Sequence, residues 1–431
     1  CVPLVADLIK RPRVQLDATN GDGYSPLDLC VKHKLPEAGD EIFKAGGKLD
    51  KDVRKNPPTL LGAARAGLPF LCSYVLKKDS KTVKKLLSEA DDEGRTPLLL
   101  AVRIGSSATV GRLLEGRAAE LLAQKAPCGH GPWHEAAAAG HQAVAELLLE
   151  NAAAIDGLDA NGRTALFHAS ENGQISMLQW LLGQGLQPAQ CDDLERTALH
   201  AAAAAGQTEA CEVLLGAVEV SEELVNAEDW EGATAVHLAI ASGRAEVCRC
   251  LAVKKADLQA RLDFGVTPLQ MAAEGGHEDV LQILLDDLGA ASMVSAIAAA
   301  RVSDGRGAWL VAAAEGHLNC CKRLRDAEVD VDLAALKDRA GRGAMALAAK
   351  AGKTDLCDWL LKSRACPDGL SEQDDCGWTP LHVASAEGQK AMVEWLLEAG
   401  ADLAAGDEDG KTAIDWAKLR GHAAVEAVLK R

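Results

Sequence analysis

One short stretch constrains this chain more than any other feature. Residues 265–276 read Gly-Val-Thr-Pro-Leu-Gln-Met-Ala-Ala-Glu-Gly-Gly, and versions of them return along the whole sequence. With Thr267 as the anchor, the equivalent positions are Ser25, Pro58, Thr96, Gly131, Thr164, Thr197, Thr234, Thr267, Gly307, Gly343, Thr379 and Thr412, spaced 33 to 40 residues apart. Five residues after the anchor stands Cys30 in the first unit and alanine in every other, from Ala63 to Ala417. Nine after it, eleven of the twelve units carry glycine, with Lys34 the exception; seventeen after it, every unit is apolar, from Ile42 to Leu429. Three columns held in register at this period mark an array of small units that bury their faces against one another.

The columns predict the structure of one unit. A Ser or Thr anchor, present in eight units, accepts a hydrogen bond from the free N–H groups of a helix start, and Pro26, Pro97, Pro268 and Pro380 take the first helical position, where no N–H is needed. Alanine at the fifth position gives that first helix a narrow inward face, and the glycine ends it in a left-handed conformation. A second helix follows with apolar residues three and four apart, as in Val144, Leu147 and Leu148. An acidic, glycine-containing loop such as Asp159-Ala160-Asn161-Gly162 turns the chain into the next anchor.

A helix-turn-helix-loop of this period resembles the ankyrin repeat, whose signature Thr-Pro-Leu-His-x-Ala stands at Thr379-Pro380-Leu381-His382-Val383-Ala384. The resemblance covers almost the whole chain. It implies an all-α, right-handed ankyrin-repeat solenoid of about twelve helix-turn-helix-loop units plus an N-terminal half-repeat. It also implies that the histidine three after the anchor braces neighbouring loops; His134, His200, His237 and His382 keep it.

Residues 1–24 are expected to form a truncated half-repeat and loop, and 25–431 the solenoid. Val5 and Ile9 fit a second helix whose first helix would precede Cys1, so the chain reads as part of a longer protein. The units anchored at 25 and 58 diverge most. Three connections, 77–93, 216–231 and 286–304, are long for the period, and Met293, Val294, Ile297 and Ala298 fit a helix in the last of them.

Net charge is −17, unevenly spread: residues 1–90 hold 16 Lys and Arg against 11 Asp and Glu, leaving 30 against 52 for the remainder. Such an acidic surface disfavours nucleic acid and anionic membrane, which demand positive charge, and favours a protein partner with a basic or mixed apolar–basic surface. No run of apolar residues is long enough to insert into a bilayer. Of thirteen cysteines, Cys72, Cys211, Cys248, Cys321 and Cys357 fall fourteen after their anchors and read as packing residues; Cys128, Cys191, Cys366 and Cys376 fall in loops. With no Cys-x-x-Cys pair, reduced thiols in an intracellular, cytoplasmic setting are expected.

Neither a cofactor nor catalysis is expected. His134-Glu135 opens like a zinc-protease motif, but Ala138 occupies the second histidine position, and no stretch fits Gly-x-x-x-x-Gly-Lys-Ser/Thr. Cys128, His130 and His134 are the residues nearest to a metal set; because the repeat already explains His134, no metal is expected.

By the family resemblance, partners are held on loop tips and on the exposed side of the first helix. Large or charged residues there are the candidates: Glu171, Asn172, Glu274 and Glu315, with Arg65, Arg103, Lys350 and Glu387 in the same columns. Leu194, Trp230 and Phe264 fall in three consecutive loops among Asp193, Asp229, Glu231 and Asp263, which predicts an apolar strip with an acidic rim. Trp378 is a second loop tryptophan. The expected function is that of a non-catalytic interaction scaffold or adaptor; the alternative is the targeting or regulatory ankyrin arm of a larger enzyme or channel.

Overall fold

The computed structural model describes Val5, Leu8, Ile9, Gln15, Leu16 and residues 18–20, 24–47, 59–77, 79–217, 221–262, 265–287, 303–327 and 332–430. Among these every regular element is a helix. Contacts divide the chain into two compact units, residues 1–202 with 209–219, and 203–208 with 220–431. Each consists of successive helix pairs placed as the columns require.

The alanine column explains the packing. Ala63, Ala101, Ala136, Ala169 and Ala202 in the N-terminal unit, and Ala239, Ala272, Ala312, Ala348, Ala384 and Ala417 in the C-terminal one, are all fully buried. Their small side chains let successive first helices lie side by side. Leu60–Arg65, Pro97–Ile104, Pro132–Ala139 and Ala165–Glu171 form one such row; Ala235–Ala241, Pro268–Gly275, Ala308–Glu315, Ala344–Lys350, Pro380–Ala386 and Ala413–Leu419 form the other. Second helices carry the leucine column, whose members Leu113, Leu148, Leu251, Leu324, Leu360 and Leu396 are fully buried.

Helix starts follow two designs. Ser25, Thr164 and Thr267 accept from the backbone N–H three residues on, as a capping oxygen does. At Thr197, Thr234 and Thr379 the histidine three residues on accepts instead: Nδ1 of His200, His237 and His382 takes the backbone N–H of the anchor at 3.1 to 3.2 Å. With Nδ1 accepting, Nε2 carries the proton, and in His237 and His382 it donates to Ala260 O and Lys411 O in the following loop. Gln270 does the same work, accepting from Thr267 N and donating to Arg306 O.

A second set of bridges was not evident in the repeat pattern. Ten residues after the anchor, His141, Gln174, His277, His317, Gln389 and His422 each donate back to a carbonyl at the end of the preceding first helix. Neighbouring units are therefore tied by side chain to backbone on both flanks of the alanine seam.

Departures are local. In the unit anchored at 58 the helix begins one residue late, capped by Thr59, which accepts from Gly62 N at 3.1 Å. Lys34, standing in the glycine column, is forced to φ +51°, and Glu195, standing where sister loops carry glycine, to φ +59°. Both hold a non-glycine residue in the left-handed region at a cost of about 1 kcal/mol. Glu195→Gly is thus expected to raise stability by several tenths to about 1 kcal/mol, read as an upward shift of the urea midpoint; a downward shift would contradict the strain.

Of the long connections, 77–93 contains helix Ser80–Ser88 and 216–231 contains Ser221–Val225; a further short helix, Ala118–Leu122, lengthens the connection before anchor 131. The helix expected from Met293 to Ala298 lies outside the described residues. Cys366, expected in an open loop, is 5% exposed, and burial pushes its thiol up to about 11. Burial likewise pushes Cys72, Cys248 and Cys357 up to about 12, as fits apolar packing residues rather than thiolate ligands.

Candidate protein-binding surface

The loops owe their shape to a buried or half-buried aspartate five residues before the anchor. Oδ1 of Asp91, Asp159, Asp192, Asp229, Asp338, Asp374 and Asp407 accepts the backbone N–H groups two and four residues on, closing each turn. Oδ2 points at a cation or donor: Arg95 for Asp91, Arg196 for Asp192, Arg342 for Asp338, and the Trp416 indole for Asp407 at 2.8 Å. Adjacent tips are joined by backbone bonds, Asp193 N to Asn161 O at 2.9 Å in one unit and Asp375 N to Ala340 O at 3.0 Å in the other.

This corrects one expected contact residue. Asp229 is buried, with its carboxylate turned in to brace the loop, and does not belong to an exposed acidic rim. Asp193 and Glu231 are exposed at the tips. Leu194 is 40% exposed in the N-terminal unit and Trp230 is 61% exposed in the C-terminal unit. Phe264 and Asp263 lie outside the described residues. Glu171, Asn172, Glu274 and Glu315 are exposed, as their column predicts. Arg65, by contrast, is occupied by Asp91 at 2.9 Å, and Lys350 pairs with Glu387 at 3.8 Å.

Trp378 is where the structure goes beyond the sequence. It is half-buried and lies against Trp416, ring centroids 4.5 Å apart and planes at 52°. Trp416 stands four after its anchor, in a mostly apolar column that reads as packing, yet it too is half-exposed, fixed by its bond to Asp407 and covered on one face by Lys411 Nζ at 5.1 Å. The two indoles form one wall of a cleft of about 400 Å³ in the C-terminal unit. Arg342 and Lys350 line it against five carboxylates, Asp374, Glu387, Asp407, Glu408 and Asp409. Arg342 is engaged by Asp338 outside the lining, while Lys350 pairs with Glu387 and Lys411 with Asp409 of the lining itself; the remaining Asp374, Asp407 and Glu408 leave the charge in the cleft negative. Burial works to raise the pKa of Asp407, but the indole N–H and the backbone of Lys411 and Asp409 outweigh it and hold the carboxyl below its usual range.

The residues near a conceivable metal set also rearrange. His134 uses both ring nitrogens, Nδ1 accepting from Gly131 N and Nε2 meeting Arg163 O, and Cys128 is exposed outside the cluster. His130 instead meets Asp159 and His168, a grouping not foreseen from the sequence.

Stacked two-helix units with capped starts, left-handed stops and aspartate-closed loops define a repeat-built, protein-binding module. The chain belongs to the ankyrin-repeat family: a family model of three ankyrin repeats matches residues 60–157, 105–190, 133–229, 172–262, 216–296, 254–335 and 345–431. It is 34% identical over 199 residues to probable E3 ubiquitin-protein ligase XBOS33 of Oryza sativa subsp. japonica, covering 44% of this chain and 37% of the relative. It is 33% identical over 158 residues to E3 ubiquitin-protein ligase XBAT33 of Arabidopsis thaliana, covering 36% and 29%. Over 131 residues it is 35% identical to neurogenic locus notch homolog protein 1 of Mus musculus, covering 30% of this chain and 5% of that one. The chain thus matches well under half the length of these relatives. Among the described residues no helix is long and apolar enough to cross a membrane.

Proposed function

We propose that this chain is a non-catalytic scaffold that holds a partner protein through an apolar segment flanked by Lys or Arg, seated in the Trp378–Trp416 cleft. The observation that carries the reading is the indole pair set among five carboxylates that outnumber the lining cations Arg342 and Lys350. Aromatic side chains at the centre of a polar rim give much of an interface's affinity, and the carboxylates give orientation and encounter rate. Leu194 and Trp230, with Asp193, Glu231, Glu171, Asn172, Glu274 and Glu315, are further contact points in the same reading, as are Phe264 and Asp263. A reduced, intracellular compartment suits the thiol-rich packing.

Tryptophan fluorescence titration with synthetic peptides of alternating apolar and basic residues tests it. Trp378→Ala is expected to weaken binding at least about 10-fold, with affinity falling further as salt is raised. Unchanged affinity in Trp378→Ala, or loss only in Trp230→Ala, would overturn the cleft as the site.

A second reading is favoured by the two plant ubiquitin ligases, in which similarity is confined to part of the length. In it the same surface is the recruiting arm of a larger enzyme. Native complexes captured on Trp378 wild-type chain but lacking any ubiquitin-transfer activity would count against it.

A further inference from the structure

We propose that His130, Asp159 and His168 form a binding site for one divalent transition-metal ion, with zinc as the fitting ion. Each offers one ligand atom, and these atoms lie within 4.8 Å of one another. His168 Nε2 is 3.0 Å and His130 Nε2 3.6 Å from Asp159 Oδ2. Tetrahedral zinc with ligands at 2.0–2.1 Å wants neighbouring ligand atoms about 3.4 Å apart, so closing the His130 ring on the other two ligands completes the set. Two imidazoles and one carboxylate suit zinc and its first-row neighbours, and are too few oxygens for calcium or magnesium.

The repeat frame shows how unusual this trio is. His130 stands directly before its anchor, where five sister units carry Arg95, Arg163, Arg196, Arg306 and Arg342. His168 stands four after its anchor, in a column whose other members are all apolar except Gly62 and Glu135. In sister loops the aspartate's second oxygen faces its own unit's guanidinium. Arg163, which would serve Asp159, reaches forward to Asp192 at 3.3 Å instead. A fully buried carboxylate is thereby left facing two imidazoles, and among the described residues no guanidinium bonds its Oδ2.

The surroundings fit the ion. Oδ1 of Asp159 is committed to Asn161 N and Arg163 N, which fixes the carboxylate and leaves Oδ2 to face the histidines. Nδ1 of His130 lies 3.6 Å from Glu135 Oε1, so a carboxylate stands behind a ligating imidazole, within a short movement of bonding its N–H. Beside the trio opens a cleft of about 480 Å³, leaving a coordination position for water or a partner's side chain.

The test uses the full chain stripped with chelator, then titrated with Zn²⁺ against a chromophoric chelator and with Co²⁺ by visible absorption. One ion per chain and a tetrahedral Co²⁺ spectrum without thiolate charge-transfer bands are expected. Asp159→Asn and His130→Arg are each expected to weaken binding at least about 100-fold, and Glu135→Gln about 10-fold. His130→Arg restores the arginine of the sister units and a partner for Asp159, so it folds. Wild-type affinity in His130→Arg, loss of binding in Cys128→Ser, or no stoichiometric binding at all would each overturn the site.

Discussion

Trp309→Ala is expected to lower the stability of the C-terminal unit by about 3–5 kcal/mol. Trp309 is fully buried in helix Ala308–Glu315, between the first helices Pro268–Gly275 and Ala344–Lys350, and its ring lies 6.3 Å from that of Trp359. Alanine would leave a void that the close-set alanine seam cannot fill by collapse. Its indole N–H has no hydrogen-bond partner among the described residues, so Trp309→Phe removes an unsatisfied donor while keeping most of the ring. That variant should cost much less than alanine. Urea unfolding measures both, and hydrogen exchange should show the two flanking helices losing protection first, because each unit leans on its neighbours. A Trp309→Ala loss below about 1 kcal/mol would contradict the packing described.

Asp192→Ala is expected to cost about 3 kcal/mol. Its carboxylate accepts Leu194 N and Arg196 N at 2.9 and 3.0 Å on one oxygen, and the guanidiniums of Arg196 and Arg163 on the other. Alanine removes the acceptor of both backbone N–H groups and the partner of both guanidiniums from a fully buried position. Asp192→Asn keeps the backbone acceptor and should lose about half as much, which separates turn closure from charge pairing. The same carboxylates set the acid limit of the fold. Burial tends to raise the pKa of Asp192, but the N–H and guanidinium of Arg196 outweigh it and hold it below the ordinary value. Asp91, under the same opposition of burial against Arg95 and Arg65, lies at about 2. Unfolded aspartate titrates near 3.9, so this stabilisation is complete above about pH 4 and drains away as pH falls towards 2. Thermal melts across that range should show the midpoint falling less steeply in Asp192→Asn than in the wild type.

The fold was legible because a repeat supplies its own alignment. Ala169, Ala239 and Ala312 share one register, and packing reserves that register for a side chain no larger than alanine or cysteine. The late helix start at Thr59 escaped because proline and threonine adjoin there, and only the direction of the capping oxygen decides between them. The surface was less legible. Asp192 and Asp193 are adjacent in sequence and read alike as acidic loop, yet one is buried as a brace and the other exposed. Trp416 sits in a packing column, but its half-exposed wall with Trp378 depends on a side-chain bond to Asp407 that the columns do not encode. The His130–Asp159–His168 set could have been found by asking which units break a column at ionisable positions, since His130 and His168 both do.

The forward reach of Arg163 means that the bricks are not interchangeable. Excising the segment that carries Asp192 would leave that guanidinium free to swing home to Asp159 and displace the two imidazoles. Shuffled or shortened versions of the array would therefore change chemistry at a site they never touched, and the order of the units is itself part of the information the sequence stores.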